Sequence, residues 1–424
     1  MAIALFGILF ALIGIGVPIA IALGAASMLV LIFYTHTPVM VLVQKSFSSA
    51  DTFALMAIPF FILAGNIMSQ GGVSQRLVEL ANCGFGRYRG GLAHVATAAC
   101  TFFGAICGSA PATTAAIGAV MVQPMMKKGY DRDFTAAVVA TSGTIGLIIP
   151  PSNNMVLFGV ITGASVGQMF IGGILPGLIM SAGIMAVNYW VATKKNYPRE
   201  APPAPGDTMK AFKNASLALL MPIIILGGIY SGAFTPTEAA VVAAAYGIVV
   251  GMFIYKNINF AQLRAILLQT AVGTAIIMFL VVTASCFSYI MASEQIPQAI
   301  TSFMLSLSQD PLTVLLLICV ALLIVGTFLD NAVALILCTP IFFPVVASLG
   351  IDPVFFGVIT VFALAIGQVT PPVGLCLFVA SNMADVSIER ISVQCVPYLI
   401  MLVLILLLLV LCPQIITILP SFML

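Results

Sequence analysis

Long stretches without a charged side chain constrain this sequence more than any other feature. No charged residue occurs between Asp133 and Lys194, a gap of 60 residues. A membrane-spanning helix needs about 20 apolar residues, so this gap holds at least two crossings. Only 7% of all residues are charged and 62% are hydrophobic, whereas a soluble domain carries roughly 25% charged residues. The sequence therefore excludes a water-soluble fold and predicts an all-α polytopic membrane protein.

The apolar segments predict nine membrane crossings and two further stretches of a different kind. The crossings are expected near residues 2–34, 53–70, 133–165, 168–192, 215–234, 236–256, 262–291, 353–384 and 391–412. The stretches 90–128 and 311–348 have polar or small residues at their centres, which lipid would penalise in a simple crossing. Pro18 could divide the first segment into two short passes, and the sequence leaves that choice open.

The basic residues indicate which side of the membrane each loop occupies. A polar, proline-rich linker at 193–214 carries five Lys or Arg residues, so the positive-inside rule places it in the cytoplasm. If 90–128 and 311–348 are re-entrant hairpins, fourteen of the fifteen Lys and Arg residues lie on that side, and Lys45 is the exception. A single full crossing at either stretch would move every loop beyond it to the other side of the membrane. The asymmetry of the basic residues would then be lost. The net charge of +2 indicates no nucleic-acid partner.

An internal repeat relates the two halves of the chain. A shift of 221 residues aligns 129–180 with 350–401, with eleven identities in 52 positions, and it superimposes Pro150–Pro151 on Pro371–Pro372. In the predicted topology the two units enter the membrane from opposite sides. The sequence therefore predicts an inverted repeat, with units at 1–192 and 215–424, as is common in secondary transporters.

Two motifs predict broken helices within the repeat, at about 133–165 and 353–384. They are TSGTIGLIIPPSNN, which starts at Thr141, and AIGQVTPPVG, which starts at Ala365. Proline lacks an amide hydrogen and disfavours helix in the residue before it, so a double proline unwinds the helix. The freed carbonyl oxygens then need partners, and a cation can provide one. The alternative is a pair of structural kinks.

The hairpin centres are GAICGSAPATTAAIG, from Gly104, and VGTFLDNAVALIL, from Val325. Small residues let backbones approach closely, and hydroxyl and carbonyl oxygens bind hard cations. Asp330 is the only carboxylate in a long apolar run. An ionisable residue within the membrane is a functional candidate, but Asp330 could equally cap the following helix. The two roles are compatible.

These motifs resemble the large membrane subunit of tripartite ATP-independent periplasmic (TRAP) transporters, a bacterial inner-membrane protein. The resemblance rests on the segment 146–152, on GQVTPP and on GSAPATTAAIG, and it extends over essentially the whole chain. It implies an elevator-type fold, in which a scaffold holds a transport domain built from two hairpins and two broken helices. It also implies sodium coupling, an organic-acid substrate, a soluble periplasmic binding protein and a small four-helix membrane subunit.

The resemblance further implies two sodium sites with a substrate site between them. The first sodium site would comprise Gly104, Ser109, Gly146, Ile149 and Pro151. The second would comprise Gly326, Thr327, Asp330, Gly367, Thr370 and Pro372. Substrate would bind near Thr113, Ser152, Asn153 and Asn331. Val373 stands opposite Ser152 in the repeat, so backbone carbonyls are expected to provide the ligands at the second break.

The sequence thus predicts the translocation subunit of a sodium-coupled importer, with sialic acid or another sugar acid favoured as substrate and C4-dicarboxylates as alternatives. A stand-alone sodium/dicarboxylate or citrate symporter of related fold remains an alternative. No Walker A, GxSxG or Rossmann glycine pattern is present, so neither ATP hydrolysis nor another enzymatic activity is expected.

The topology makes a direct prediction for Lys194. A cysteine introduced there should react with a membrane-impermeant thiol reagent only when the reagent reaches the cytoplasmic face, because the linker follows that residue. Labelling of right-side-out and inverted vesicles measures this. Reaction from the outer face would overturn the whole topology.

Overall fold

The computed structural model describes residues 1–35 and 37–423. This part of the chain consists of helices joined by turns and contains no β-strand. Eight of the described helices are long and apolar enough to cross a membrane. The predicted class, an all-α polytopic membrane protein, is therefore confirmed.

The described residues of the first half form ten α-helices. They are α1 Ala2–Gly14, α2 Ile19–Tyr34, α3 Met40–Ala50, α4 Ala57–Gln70, α5 Val73–Phe85, α6 Gly91–Cys107, α7 Ala110–Lys127, α8 Arg132–Gly143, α9 Asn153–Thr162 and α10 Val166–Lys194. The helix pair α6–α7 occupies the predicted stretch 90–128, and α8 and α9 occupy the first predicted broken helix.

The helices of the second half are α11 Asp207–Tyr230, α12 Pro236–Ile248, α13 Phe260–Ser293, α14 Ile296–Leu307, α15 Pro311–Phe328, α16 Asn331–Ser348, α17 Pro353–Gly367, α18 Leu375–Ala384, α19 Ile388–Leu411 and α20 Gln414–Thr417. Of these, α13 to α19 follow one another in the same order as α4 to α10. A shift of 221 residues carries the end of α6, Cys107, onto the end of α15, Phe328. The same shift carries the whole of α7 onto α16. The opposite orientation of the two units stays a prediction.

Two boundaries differ from the predicted ones. Residues 2–34 do not form one segment, because the chain turns at Gly16, where φ is +87°, and Pro18 then precedes α2. No Lys or Arg lies before Lys45, so this division leaves the charge asymmetry unchanged. The non-helical linker is shorter than 193–214, because α11 already begins at Asp207.

The linker is fixed to the turn between α7 and α8. The rings of Tyr197 and Tyr130 stack with their centroids 4.6 Å apart. Lys195 Nζ lies 2.7 Å from a carboxylate oxygen of Asp131. The hydrogen bonds from Lys195 and from the Tyr197 hydroxyl lower the pKa of Asp131 below its usual range. The start of the linker is therefore held against the first half of the chain.

Each broken helix divides its packing between the two hairpins. The helix α18, from the second half, packs against α7 and α8 of the first half. Conversely, α9 packs against α16 and α17. The two units therefore interlock, and the short helices that follow the breaks join one unit to the other.

The outer surface of α13 is apolar along one stripe. Leu268, Val272, Ile276 and Phe279 are all at least half exposed and follow one another at helical spacing. Water would disfavour such a stripe, whereas lipid or another apolar surface would cover it.

A buried hydrogen-bond network joins α6, α10 and α19. The Tyr398 hydroxyl donates to Asn188 Oδ1 at 2.6 Å, and Asn188 Nδ2 donates to Thr97 Oγ1 at 2.9 Å. All three side chains are completely buried. Such a network holds helices in one arrangement because a group that loses its partner has no water to replace it.

The substitution Tyr398→Phe should lower stability by about 1 kcal/mol, because it leaves Asn188 Oδ1 without its donor. Thermal unfolding of the purified protein in detergent measures the effect as a lower midpoint. Tyr230→Phe is the matched control, since Tyr230 is 54% exposed. Equal midpoints for the two variants would contradict the structural role of the network.

Candidate functional site

The first helix break lies between α8 and α9. A short 3₁₀ turn, Thr144–Leu147, follows α8, and the chain is non-helical until α9 begins at Asn153. The break contains Pro150 and Pro151. The double proline therefore interrupts the helix as predicted.

The tip of the α6–α7 hairpin contacts this break through glycines. A Cβ atom on Gly104 would lie 2.8 Å from the Cα of Gly146, and one on Gly146 would lie 3.1 Å from the carbonyl oxygen of Ser109 and would also meet the Thr113 hydroxyl. Neither glycine has room for a side chain. The Asn153 N–H donates to the carbonyl of Gly108 at 3.3 Å, so the hairpin tip also supplies a partner to the start of α9.

Pro151 and Ile149 are placed differently. The carbonyl oxygen of Pro151 lies 2.6 Å from where a Cβ on Gly108 would be, so it adjoins the hairpin tip. The side chain of Ile149 packs instead against Gly177 of α10. Four of the five residues expected at the first sodium site thus meet at the tip, whereas the Ile149 side chain points away to a neighbouring helix.

The second break meets the second hairpin in the same way. A Cβ on Gly367 would lie 2.7 Å from the Cα of Gly326. The Val373 N–H donates to the Thr327 carbonyl at 3.2 Å. Pro372 lies in the non-helical segment between α17 and α18. The two tip-and-break contacts, Gly104 with Gly146 and Gly326 with Gly367, therefore occupy equivalent places in the two halves.

The hydroxyl groups of the second hairpin and the second break form hydrogen bonds to nearby carbonyls of α15 and α17. Thr327 Oγ1 donates to the Ile324 carbonyl at 2.8 Å, and Thr370 Oγ1 donates to the Ile366 carbonyl at 2.8 Å. Donation leaves the oxygen lone pairs of both hydroxyls available to a cation.

Asp330 caps the second helix of its hairpin. Its Oδ2 accepts a hydrogen bond from the Ala332 N–H at 3.1 Å, and α16 starts at the next residue. The capping role is therefore confirmed. A carboxylate has further lone pairs, so capping with one oxygen leaves capacity for a cation.

Gln368 belongs to the site, although the sequence analysis did not select it. Its Nε2 donates to Asn331 Oδ1 at 3.0 Å, and both side chains are buried. Asn331 Nδ2 and Gln368 Oε1 have no partner among the described residues. Either orientation of the two amides leaves one donor and one acceptor unpaired. The sequence did contain a signal for this role, because Gln368 is an uncharged polar residue between Gly367 and the double proline.

The other residues expected to bind substrate lie at helix starts. Ser152 Oγ caps α9 by accepting from the Met155 N–H at 3.4 Å. Asn153 Oδ1 and Thr113 Oγ1 are buried without a partner among the described residues. Helix N-termini carry partial positive charge and free N–H groups, so they favour an anion. The site thus combines carbonyl and hydroxyl oxygens suited to a cation with unpaired polar groups and helix starts suited to an anion.

Helices of this length and a buried site at two interrupted helices define a polytopic membrane transport protein. The family model "Tripartite ATP-independent periplasmic transporter, DctM component" matches residues 6–415. The chain belongs to this family, the large permease subunits of TRAP transporters. It is therefore a multi-pass inner-membrane protein, is not an enzyme and works as one component of a tripartite assembly with a small membrane subunit and a periplasmic binding protein. Because the chain belongs to this family, the alternative prediction of a stand-alone symporter no longer applies.

Relatives with three different named substrates are similar to this chain. The isethionate TRAP transporter permease protein DctMQ of Oleidesulfovibrio alaskensis is 43% identical over 93% of this chain, which spans 62% of that relative. The C4-dicarboxylate large permease DctM of Pseudomonas aeruginosa is 40% identical, over 92% of each chain. The sialic acid large permease SiaM of Vibrio cholerae is 35% identical, over 98% of this chain and 96% of its own length. These relatives therefore do not favour a sugar acid over the other acids as the substrate of this chain.

The fold is also similar to a solved structure. The YdaH transporter of Alcanivorax borkumensis matches with a TM-score of 0.61, covering 88% of this chain and 87% of its own. Its sequence identity is 16%, so the likeness concerns the fold alone.

The glycine contact at the second break predicts a localised effect for Gly367→Ala. The added methyl group would meet the Gly326 backbone, which cannot rotate away, so the hairpin tip must move. We expect at least a tenfold loss of uptake with normal membrane insertion. Gly273→Ala in α13 is the control, because no atom of the described residues lies within 4 Å of its Cβ position. Wild-type uptake by the Gly367 variant would contradict a close tip-and-break contact.

Proposed function

We propose that this chain is the translocation subunit of a sodium-coupled importer of small organic acids, which a periplasmic binding protein delivers. The observation that carries the proposal is the pair of equivalent tip-and-break contacts. In each of them a hairpin tip meets unwound backbone with no side chain between them. Unwound backbone at membrane depth needs partners, and in transporters such segments coordinate coupling ions.

Sodium fits the chemistry of both contacts. Na⁺ is a hard cation and is bound by oxygen atoms. Gly104, Ser109, Gly146, Ile149 and Pro151 would hold one ion, with backbone oxygens as the main ligands. Gly326, Thr327, Asp330, Gly367, Thr370 and Pro372 would hold the other. Asp330 would supply the negative charge at the second site.

Two ions also satisfy the energetics of a scavenging importer. One charge crossing 100 mV is worth about 2.3 kcal/mol, and a tenfold sodium gradient adds about 1.4 kcal/mol per ion. Import of a monoanion against the potential costs about 2.3 kcal/mol. One sodium would leave about 1.4 kcal/mol, or tenfold accumulation, whereas two would leave about 5 kcal/mol, or several thousandfold.

The proposed substrate is an organic anion, with sialic acid or another sugar acid as the first candidate. Isethionate and C4-dicarboxylates, named for relatives, share its acidic group. That group would face the starts of α7, α9 and α16, with Thr113, Ser152, Asn153 and Asn331 beside it. The unpaired amide atoms of Asn331 and Gln368 would bind a hydroxyl or carboxylate oxygen.

The proposed mechanism is an elevator-type movement. The interlocked hairpins and broken helices would move as one rigid transport domain against the remaining helices, and α10 and α19 would move with them, because the buried network of Thr97, Asn188 and Tyr398 ties both to α6. Interlocking supports this division, because α9 and α18 each pack on helices of the other half. One rigid body would carry both ions and the substrate together, which couples their movement.

Uptake into proteoliposomes tests the whole proposal. The chain would be reconstituted with its small membrane subunit, and candidate acids tested with and without the binding protein under imposed sodium gradients. Uptake that requires both sodium and the binding protein is the expected result. Sodium-independent uptake would reject sodium coupling, and uptake without the binding protein would reject delivery by it.

Asp330→Asn separates the charge of Asp330 from its capping role, since asparagine caps helices about as well as aspartate. We expect the half-saturating sodium concentration to rise about tenfold, because the neutral amide attracts a cation far less. Asp352→Asn is the matched control, because Asp352 caps α17 through its Oδ1 at 2.7 Å from the Phe355 nitrogen. An unchanged sodium response in the Asp330 variant would remove its carboxylate from the ion site.

A further inference from the structure

A cavity of about 460 Å³, lined by both polar and apolar side chains, lies apart from the two tip-and-break contacts, between α3, α9, α13 and α16. Its lining includes Lys45, Thr162, Ser285, Ser288, Tyr289 and Thr339. None of the residues expected to bind sodium or substrate lines it. The cavity therefore needs an explanation of its own.

The lining suits an anion. Of the lining residues that the structure describes, Lys45 is the only charged one, and its Nζ lies 5.4 Å from the centre of the Tyr289 ring. Among the described residues, no ion pair includes Lys45. Thr339 is 1% exposed, and its hydroxyl has no partner in the same part of the chain. A single ammonium group with hydroxyl donors around it favours a carboxylate or sulfonate.

A second cavity lies near the other end of α13 and differs in charge. Its volume is about 390 Å³, and its described lining residues, among them Asn66, Gln70 and Gln269, carry no charge. Gln269 of this cavity and Tyr289 of the first are 20 residues apart on one continuous helix. That spacing is about 30 Å, the thickness of the hydrocarbon core. The two cavities therefore lie near opposite ends of α13, which puts them on opposite sides of the membrane in the predicted topology.

The neutral cavity lies on the side of the polar linker. It shares Gly72 and Gln75 with a surface pocket that also includes Lys213. Because the linker is predicted to be cytoplasmic, the cavity with Lys45 faces outward. Lys45 is also the one basic residue that the charge asymmetry places outside.

Two helices connect the Lys45 cavity to the candidate site. Thr162 ends α9, which starts at Asn153, and Thr339 lies eight residues after Asn331 on α16. These intervals of nine and eight residues are about 13 Å and about 12 Å along a helix. The two helices pack against each other, so they form a common wall from the cavity to the helix starts.

We propose that the Lys45 cavity is an outer capture site, which binds the acidic group of the organic anion before it reaches the central site. This inference rests on the proposed function and adds a binding residue on the helices outside the hairpins. The neutral cavity would then be the inner release side, where no cation retains the anion.

Charge replacement at Lys45 tests the proposal. Lys45→Gln should raise the half-saturating substrate concentration about tenfold, because one charge contact in a wet cavity is lost, while maximal uptake and sodium dependence stay near wild type. Lys45→Arg should remain close to wild type. Lys210→Gln is the control, since Lys210 is exposed near the linker and its change removes the same charge elsewhere.

Chemical rescue makes the test independent of folding. In Lys45→Cys, an impermeant trimethylammonium thiosulfonate applied outside should restore capture, whereas a sulfonate thiosulfonate of similar size should not. Free organic anion, without binding protein, should slow the labelling. Rescue by both reagents, or labelling from the inside only, would overturn the capture site. If the wild type shows no sodium-driven uptake, the proposed function fails instead, whatever the labelling result.

Discussion

The structure depends on one constraint: backbone polar groups that are unwound inside a membrane must find partners within the protein. The double prolines at 150–151 and 371–372 interrupt two helices, and water is not available to the freed groups. The hairpin tips meet this need. Gly108 accepts from Asn153, and Thr327 accepts from Val373. Because these partners are backbone atoms, the tips must come very close, which explains the glycines on both sides of each contact.

This close contact also determines how the two halves fit together. Each break redirects the chain, so that α9 and α18 leave their own half and pack on helices of the other. The hydrogen bond between Gln368 and Asn331 then ties the second break to the second hairpin. Backbone contacts, crossed helices and a buried amide pair therefore all hold the breaks against the hairpins.

Features that depend on local chemistry could be predicted from the sequence. The double prolines revealed both breaks, and small polar centres revealed both hairpins, with bounds within a few residues of those observed. The cap at Asp330 followed from its position before an apolar run. The sequence analysis did not predict that residues 207–214 are helical, because the charged residues in this segment indicated a linker.

Features that depend on long-range packing could not be predicted. The direction of Ile149 toward Gly177 is set by α10, which is distant in sequence. Gln368 was overlooked because its partner, Asn331, lies 37 residues away. The exchange of α9 and α18 between halves was equally hidden, since apolar helices with little periodicity do not reveal their neighbours.

The unequal charge of the two cavities has a consequence for direction. A fixed lysine at one mouth changes the rates of binding and release there, but it takes up no free energy over a complete cycle. Microscopic reversibility therefore forbids it from acting as a rectifier. The steady-state concentration ratio depends only on the gradients coupled to movement, whereas the proposed role of Lys45 is to speed the capture of an anion that the binding protein releases. In that role the outer cavity changes the rate of uptake and leaves the final concentration ratio unchanged.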